Sequence, residues 1–317
     1  MRILAILLSP PVPTTAGHRV RNRSLLNALA LEGHDVTMLA YASADEIAAP
    51  AVELAKLCRE FYFVPTPANS TRDRVVATFG SAPYGALRLT TPAMWNLVAE
   101  KLAAHQFDAI LCDDIYMAGN IPERSRVPVL LNKHDITCRI VRQFARSERN
   151  VFKKLYATLE ARKIQSLEAR VCADAHSVAV CSAQDMSVLR EIAPTAHMSI
   201  VPNVIDVDKY APTNAAQDHT IVFVGAMDWL PNQDGAEFLV CQILPRLRQL
   251  VPTTEVVIAG RNPSEEMVRR FSEFPDVSFT GTVPDLRPYI ARGAVCVVPL
   301  RIGSGTRLKI LEAAAMG

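Results

Sequence analysis

The sequence has no two cysteines in C-x-x-C spacing, and its seven cysteines (Cys58, Cys112, Cys138, Cys172, Cys181, Cys241 and Cys296) are an odd number. This pattern argues against a disulfide framework or a zinc knuckle and fits a reducing cytosol. Long apolar runs are lacking too. The N-terminus offers six consecutive apolar residues, 3–8, too few for a signal peptide. No window approaches the ~18 apolar residues of a membrane span. Neither charge sign is in excess: 34 Lys and Arg face 32 Asp and Glu, net +2, which argues against a dedicated nucleic-acid binder. A G-x-G-x-x-G dinucleotide fingerprint is also missing.

What is present is a globular composition, 50% hydrophobic and 21% charged over 317 residues, enough for two domains. Apolar runs alternate with helical patterns. Strands are expected at 3–8, 36–41, 61–64, 109–112, 127–131 and 177–181. Helices are expected at 18–32, 92–105 and 182–192, with one or two across 138–170. The polar, unpatterned stretch 203–219 reads as a linker between domains 1–202 and 220–317. Beyond it the alternation restarts, with strands at 220–224, 255–259, 277–280 and 294–298 and helices at 235–251, 264–274, 285–291 and from 306. Strands alternating with helices mean an α/β protein with two Rossmann-like parallel sheets, expected to face a cleft. The last helix is still apolar at Gly317, so the second domain is expected to be incomplete.

Ligands of open sheets bind beyond the carboxyl ends of the strands, so chemistry is sought there. Gly17, at a helix start after the first strand, permits close approach of a phosphate, and Arg19 and Arg21 add charge; an ordinary loop reads equally well. Asn132-Lys133-His134-Asp135 follows the 127–131 strand, where His134 could hold a substrate hydroxyl or relay a proton, or serve a structural loop. Gly303-Ser304-Gly305 precedes a helix, presenting N–H groups to an anion with Arg307 and Lys309 close by. Glu312 in that apolar helix needs a polar partner: ribose hydroxyls, or Lys309 at i, i+3. Asp206-Val207-Asp208 has the spacing of a metal-binding D-x-D, but linker turn residues explain it better, so no metal is expected. Asp113-Asp114 could face the cleft or cap a helix. Finally, residues 139–170 hold nine basic and three acidic side chains with apolar residues interleaved. Such a stretch suits either an anionic membrane or a packed helix with a basic solvated face.

Together these segments resemble the retaining glycosyltransferases of family 4, which have the GT-B fold. The resemblance rests on GHRVRNRSLLNALALEGHDV (17–36), VPNVID (201–206), FVGAMDWLPN (223–232), FTGTVPDL (279–286) and GSGTRLKILEAAAMG (303–317). It implies a nucleotide-sugar donor held by the second domain, a glycan or lipid-linked acceptor held by the first, and retention at the anomeric carbon without a metal or other cofactor. His134 matches the histidine that meets the transferred sugar, Gly17 the loop glycine beside the diphosphate, and Val283 the backbone position at the base. Glu312 matches the second glutamate of the family's E-x7-E motif; Ser304 stands where the first would be. The family's Arg and Lys for the diphosphate are absent from 226–232, and Arg307 and Lys309, next to Gly303, Gly305 and Thr306, are expected to replace them. Arg19 and Arg21 are expected on the acceptor side. The implied setting is polysaccharide or envelope-glycan synthesis; the cysteine usage and the short apolar runs read above place it in the cytoplasm, peripheral at the membrane's inner face if 139–170 is the membrane-facing alternative and not the packed helix. The alternatives are a nucleotide-sugar epimerase of the same architecture and a shortened, inactive chain that only binds a ligand or partner.

Overall fold

The fold follows from strands whose two faces are both covered. In the computed structural model, which describes residues 1–14, 16–48, 51–211 and 217–317, β1 (Arg2–Leu7) is apolar and buried from Ile3 to Leu7. Its alternate residues enter different cores: Leu4 and Ile6 pack with Leu39, Ile110 and Val178, whereas Ile3, Ala5 and Leu7 pack with Leu26, Met38 and Leu54. A strand buried on both sides cannot show polar alternation, and this is why the apolar run was legible.

The chain divides into two units, Met1–Asn203 with Ser304–Thr306, and Val204–Gly303 with Arg307–Gly317. The first contains β1, β2 (Asp35–Ala42), β3 (Glu60–Pro65), β4 (Ala109–Asp113), β5 (Val129–Asn132), β6 (Ser177–Val180) and β7 (Met198–Ile200). All neighbours are parallel, in the order β3-β2-β1-β4-β5-β6-β7. The order reverses between β1 and β4, the switch point where a doubly wound sheet opens a crevice at its carboxyl edge. The second unit contains β8 (Gln217–Val224), β9 (Glu255–Ala259), β10 (Val277–Phe279) and β11 (Gly293–Cys296), again parallel, in the order β10-β9-β8-β11. Here too the faces separate. Ile221 and Phe223 of β8 enter one core, and Val222 and Val224 the other.

Several expected elements change. The 138–170 pattern is two helices, Thr137–Ser147 and Val151–Asp174, the second capped by the Asn150 side chain on the Phe152 and Lys153 amides. The helix expected at 235–251 starts at Leu230, passes through a π turn at Leu239–Ile243 and ends at Leu247. Pro245 has no N–H to give Cys241, so the regular ladder cannot continue there. The helix expected from 306 is Leu308–Met316, with Arg307 at its N-cap. In the stretch expected as linker, Val207–Lys209 forms one 3-10 turn and β8 already begins at Gln217; residues 212–216 lie outside the described residues.

One buried ion network fixes the loop after β5. Lys133 is almost fully enclosed, and its Nζ donates to Asp114 Oδ1 and Glu168 Oε1, both at 3.1 Å. Burial alone would strip its proton; the two carboxylates hold its pKa well above the ordinary value. Glu168 also accepts the amides of Thr137 (2.9 Å) and Cys138 (3.3 Å), capping a helix whose N-cap residue, Ile136, has no capping group. Glu168→Ala leaves a buried ammonium and two amides short of a partner, so urea unfolding should show a loss of about 3–5 kcal/mol, with part recovered in Lys133→Met/Glu168→Leu.

Candidate active site

At the switch point of the first unit the chain buries a carboxylate. Asp113, the last residue of β4, has no exposed surface. Its Oδ2 accepts the Leu8 amide (3.1 Å) and the Asn22 side-chain amide (2.8 Å), and its Oδ1 accepts from His134 Nε2. Asn132 donates to Asn22 at 3.0 Å and accepts Arg21 Nε at 2.8 Å. Arg21 continues to the Val201 carbonyl (2.7 Å) and Asn203 Oδ1 (3.0 Å). One polar chain therefore links the ends of β1, β4 and β5 to the helix Gly17–Leu31 and to the V-P-N segment.

His134 sits at the outer end of this network. Burial favours its neutral form, but the Asp113 carboxylate, with Asp114 and Asp135 nearby, overrides it and raises its pKa. Asp113 is shifted the opposite way: burial works against its charge, and His134 more than compensates, lowering its pKa. With Nε2 held by Asp113, Nδ1 is enclosed and has no partner among the described residues. His18, bonded to Ser9 Oγ at 2.8 Å, lies edge-on to the His134 ring, 6.0 Å between centroids. Asp135 is pushed up to about 6 by burial and Asp114.

The expected site residues of this unit divide. Gly17 is exposed and opens its helix, whose N-cap, Ala16, supplies no side-chain cap; Thr15 lies outside the described residues. The two arginines expected on the acceptor side are both otherwise engaged. Arg21 is 2% exposed and belongs to the buried network, and Arg19 pairs with Glu46. Gly305 and Thr306 group with this unit. The Gly305 amide donates to Asp185 Oδ1 at 3.0 Å and Thr306 Oγ1 to the Cys181 carbonyl at 3.3 Å, so neither group is open to an anion in this conformation. Gly305 must be glycine: φ is +77°, and a Cβ would stand 2.6 Å from the His134 carbonyl.

The second unit holds a cation of a different kind. Lys309 Nζ donates to Asn232 Oδ1 at 2.9 Å and stands 4.5 Å from the centre of the Phe223 ring. Neither partner is a carboxylate. Burial, with Arg307 adding repulsion, lowers its pKa to about 8. The ion pair that i, i+3 spacing allows with Glu312 is not formed; Glu312 instead accepts the Tyr210 hydroxyl at 3.1 Å, and burial raises its pKa. The Arg307 guanidinium lies against Gly303, where a Cβ would collide with it. Asn232 is held by its own donation to the Ala226 carbonyl (2.9 Å) and packs against Gly225, with 2.7 Å to the position of a Cβ there. Val283 is half-buried in the loop between β10 and the helix Arg287–Arg292. Asp206 pairs with Lys209 at 2.9 Å. Residues the sequence reading left unassigned, chiefly Asn22, His18, Asn203 and Asn232, complete these networks; only their places in the quoted motifs could have marked them.

Two parallel α/β units of this kind define the GT-B class of glycosyltransferases. Residues 16–209, more than half of the chain, match the family model described as Glycosyltransferase Family 4, and 218–317 match Glycosyl transferases group 1. The chain belongs to glycosyltransferase family 4. Its fold resembles that of TarM (TM-score 0.64, 8% identity, covering 99% of this chain and 83% of that one). It is also similar to the trehalose-6-phosphate synthase OtsA (0.61, 12%, 100% and 82%). A third similar fold is the catalytic domain of Arabidopsis thaliana starch synthase IV bound to ADP and acarbose (0.59, 11%, 98% and 80%). A comparison with curated proteins returns no match.

The Lys309 shift has a measurable consequence. In the folded chain its proton leaves near pH 8 against an ordinary 10.5, so folding carries a penalty below pH 8 that fades as the pH rises toward 10.5. Relative to Lys309→Met, the native chain should gain about 3 kcal/mol in unfolding free energy between pH 7 and pH 10. Denaturant titrations at the two pH values measure the difference; a constant gap would show that Lys309 is not desolvated.

Proposed function

We propose that this chain transfers a sugar from a nucleotide-sugar donor to a glycan or lipid-linked acceptor with retention at the anomeric carbon. The observation that carries the reading is Lys309, a half-buried ammonium whose partners are an amide oxygen and an aromatic face. Such a cation is unfavourable alone and is stabilised by an anion. Arg307 beside it adds a second positive charge, and a diphosphate supplies the matching negative charge.

In this reading Arg307 and Lys309 hold the diphosphate and stabilise the charge that grows on it as the glycosidic bond breaks, without a metal ion. Glu312, steadied by Tyr210, accepts from the ribose hydroxyls. Val283 meets the base, and Gly303 leaves room for the Arg307 side chain. On the first unit His134, its ring fixed by Asp113 at Nε2, is the residue that orients the transferred sugar. The Gly17 helix start remains the proposed approach for phosphate oxygens. With Arg19 and Arg21 otherwise engaged, acceptor recognition falls to other residues of the first unit. Polysaccharide or envelope-glycan synthesis is the setting that such acceptors imply.

The test is a thermal-shift screen of nucleotide sugars, then product analysis with and without acceptor. The donor that stabilises the chain should yield an α- or β-linked product with the donor's own anomeric configuration, read by proton NMR coupling. Arg307→Ala should lower kcat/KM about 10²-fold. An inverted product, an isomerised free donor without acceptor, or unchanged turnover in Arg307→Ala would overturn the respective assignment.

A further inference from the structure

The first unit leaves an apolar surface uncovered. Along the first turns of the helix Val151–Asp174, Ala157, Glu160, Ala161 and Ile164 face the core. On the opposite side Phe152, Leu155 and Leu159 repeat at helical spacing, and all three are exposed, Phe152 by 82%. A soluble helix normally shows such a stripe to the core and charge to water; here the helix has a stripe on each side.

A second helix enlarges the surface. Thr71–Phe79 lies along Val151–Asp174, tied to it by Lys163 Nζ, which donates to the carbonyls of Ala77 and Thr78. The following segment is anchored to the same helix by the Tyr84 amide on Glu160 Oε1, at 2.6 Å. Held in this way, the short helix still exposes Val75, Val76 and Phe79, the last by 88%. Exposed apolar side chains gathered on two tethered helices mark a candidate binding face.

The charge around it identifies the partner. Residues 139–170 carry nine Lys and Arg against three Asp and Glu in a chain whose total is +2; Arg139, Arg142 and Arg146 line a cavity with Gln165 and Glu191, and the other six are left. Of the three acidic residues, Glu160 and Glu168 are buried, which leaves Glu148 as the one reaching the surface. Lys153, Lys154 and Arg149 are exposed beside the stripe, and Arg72 and Arg74 flank it on the shorter helix. A second copy of this face would meet it with like charge. An anionic polymer would answer the cations but leave the phenylalanines in water. No helix of the described residues is long and apolar enough to cross a membrane. We propose that the helices Thr71–Phe79 and Val151–Asp174 form a surface that lies on an anionic lipid bilayer, with Phe79, Phe152 and Leu155 entering the acyl boundary and the lysines and arginines among the headgroups.

This surface is independent of the donor-site reading, and either can fail alone. The full chain should co-sediment with vesicles of phosphatidylglycerol and phosphatidylcholine, bind pure phosphatidylcholine at least tenfold more weakly, and be released by 0.5 M salt, about a Debye length of 4 Å. Phe79→Ser/Phe152→Ser and, separately, Lys153→Glu/Lys154→Glu should each cut partition into the anionic vesicles by about tenfold or more, while circular dichroism and thermal unfolding stay those of the native chain. Absence of binding to anionic vesicles, equal binding to neutral ones, native-like binding by both variants, or Phe152-dependent self-association in sedimentation velocity without vesicle binding would each overturn the proposal.

Discussion

A carboxylate sealed from water must be satisfied by its neighbours, and Asp113 imposes that requirement where the strand order of the first unit reverses. Three donors from three places in the chain meet it: the backbone just beyond β1, a side chain of the following helix, and the imidazole beyond β5. None of these groups can shift alone without exposing a buried polar atom. The orientation of His134 is thus set by the fold and not by the loop that carries it. The same logic extends outward through Asn22, Asn132 and Arg21 to Asn203, so the V-P-N segment inherits its position from the sheet.

The buried network also explains a division of labour among the basic residues. Arg21 and Lys133 are both enclosed in the first unit, and both meet oxygen acceptors at the carboxyl edge of the sheet. Each rigidifies the loop it touches, and neither offers charge to a ligand. Lys309 is only half-buried, and it faces an amide and a ring. What separates Lys309 is how little answers its charge: one amide oxygen, against three oxygen acceptors for Arg21 and two carboxylates for Lys133.

The sequence made the parallel sheets legible because strands covered on both faces carry unbroken apolar runs, as at residues 3–7 of β1, 38–42 of β2 and 221–224 of β8. It failed at β7, a three-residue strand at the edge of the sheet that pairs with β6, and at the helix Thr71–Phe79, whose polar and apolar residues follow no core-facing stripe because little of the helix is buried. Glycines and cations of the site could be marked by position after a strand. Their fates could not. Arg19, Arg21 and Lys133 look alike in one dimension, and only the tertiary placement of Glu46, Asn132 and Glu168 separates them. The pairing of Glu312 with Tyr210, 102 residues away, was equally invisible, and helical spacing favoured Lys309 instead.

That last choice bears on the chemistry. Had Lys309 paired with Glu312, both groups would have been neutralised within one helical turn, and the helix would present no net charge to a ligand. Sending the carboxylate to a neutral hydroxyl and the ammonium to a neutral amide keeps two opposite charges unpaired on one helix. Each retains its demand for a partner of its own: hydroxyl donors for Glu312 and an anion for Lys309. A nucleoside diphosphate carries both kinds of group, ribose hydroxyls and phosphate oxygens, a few ångströms apart. Under the proposed function, a ligand with that pair of features offsets the desolvation that each group carries.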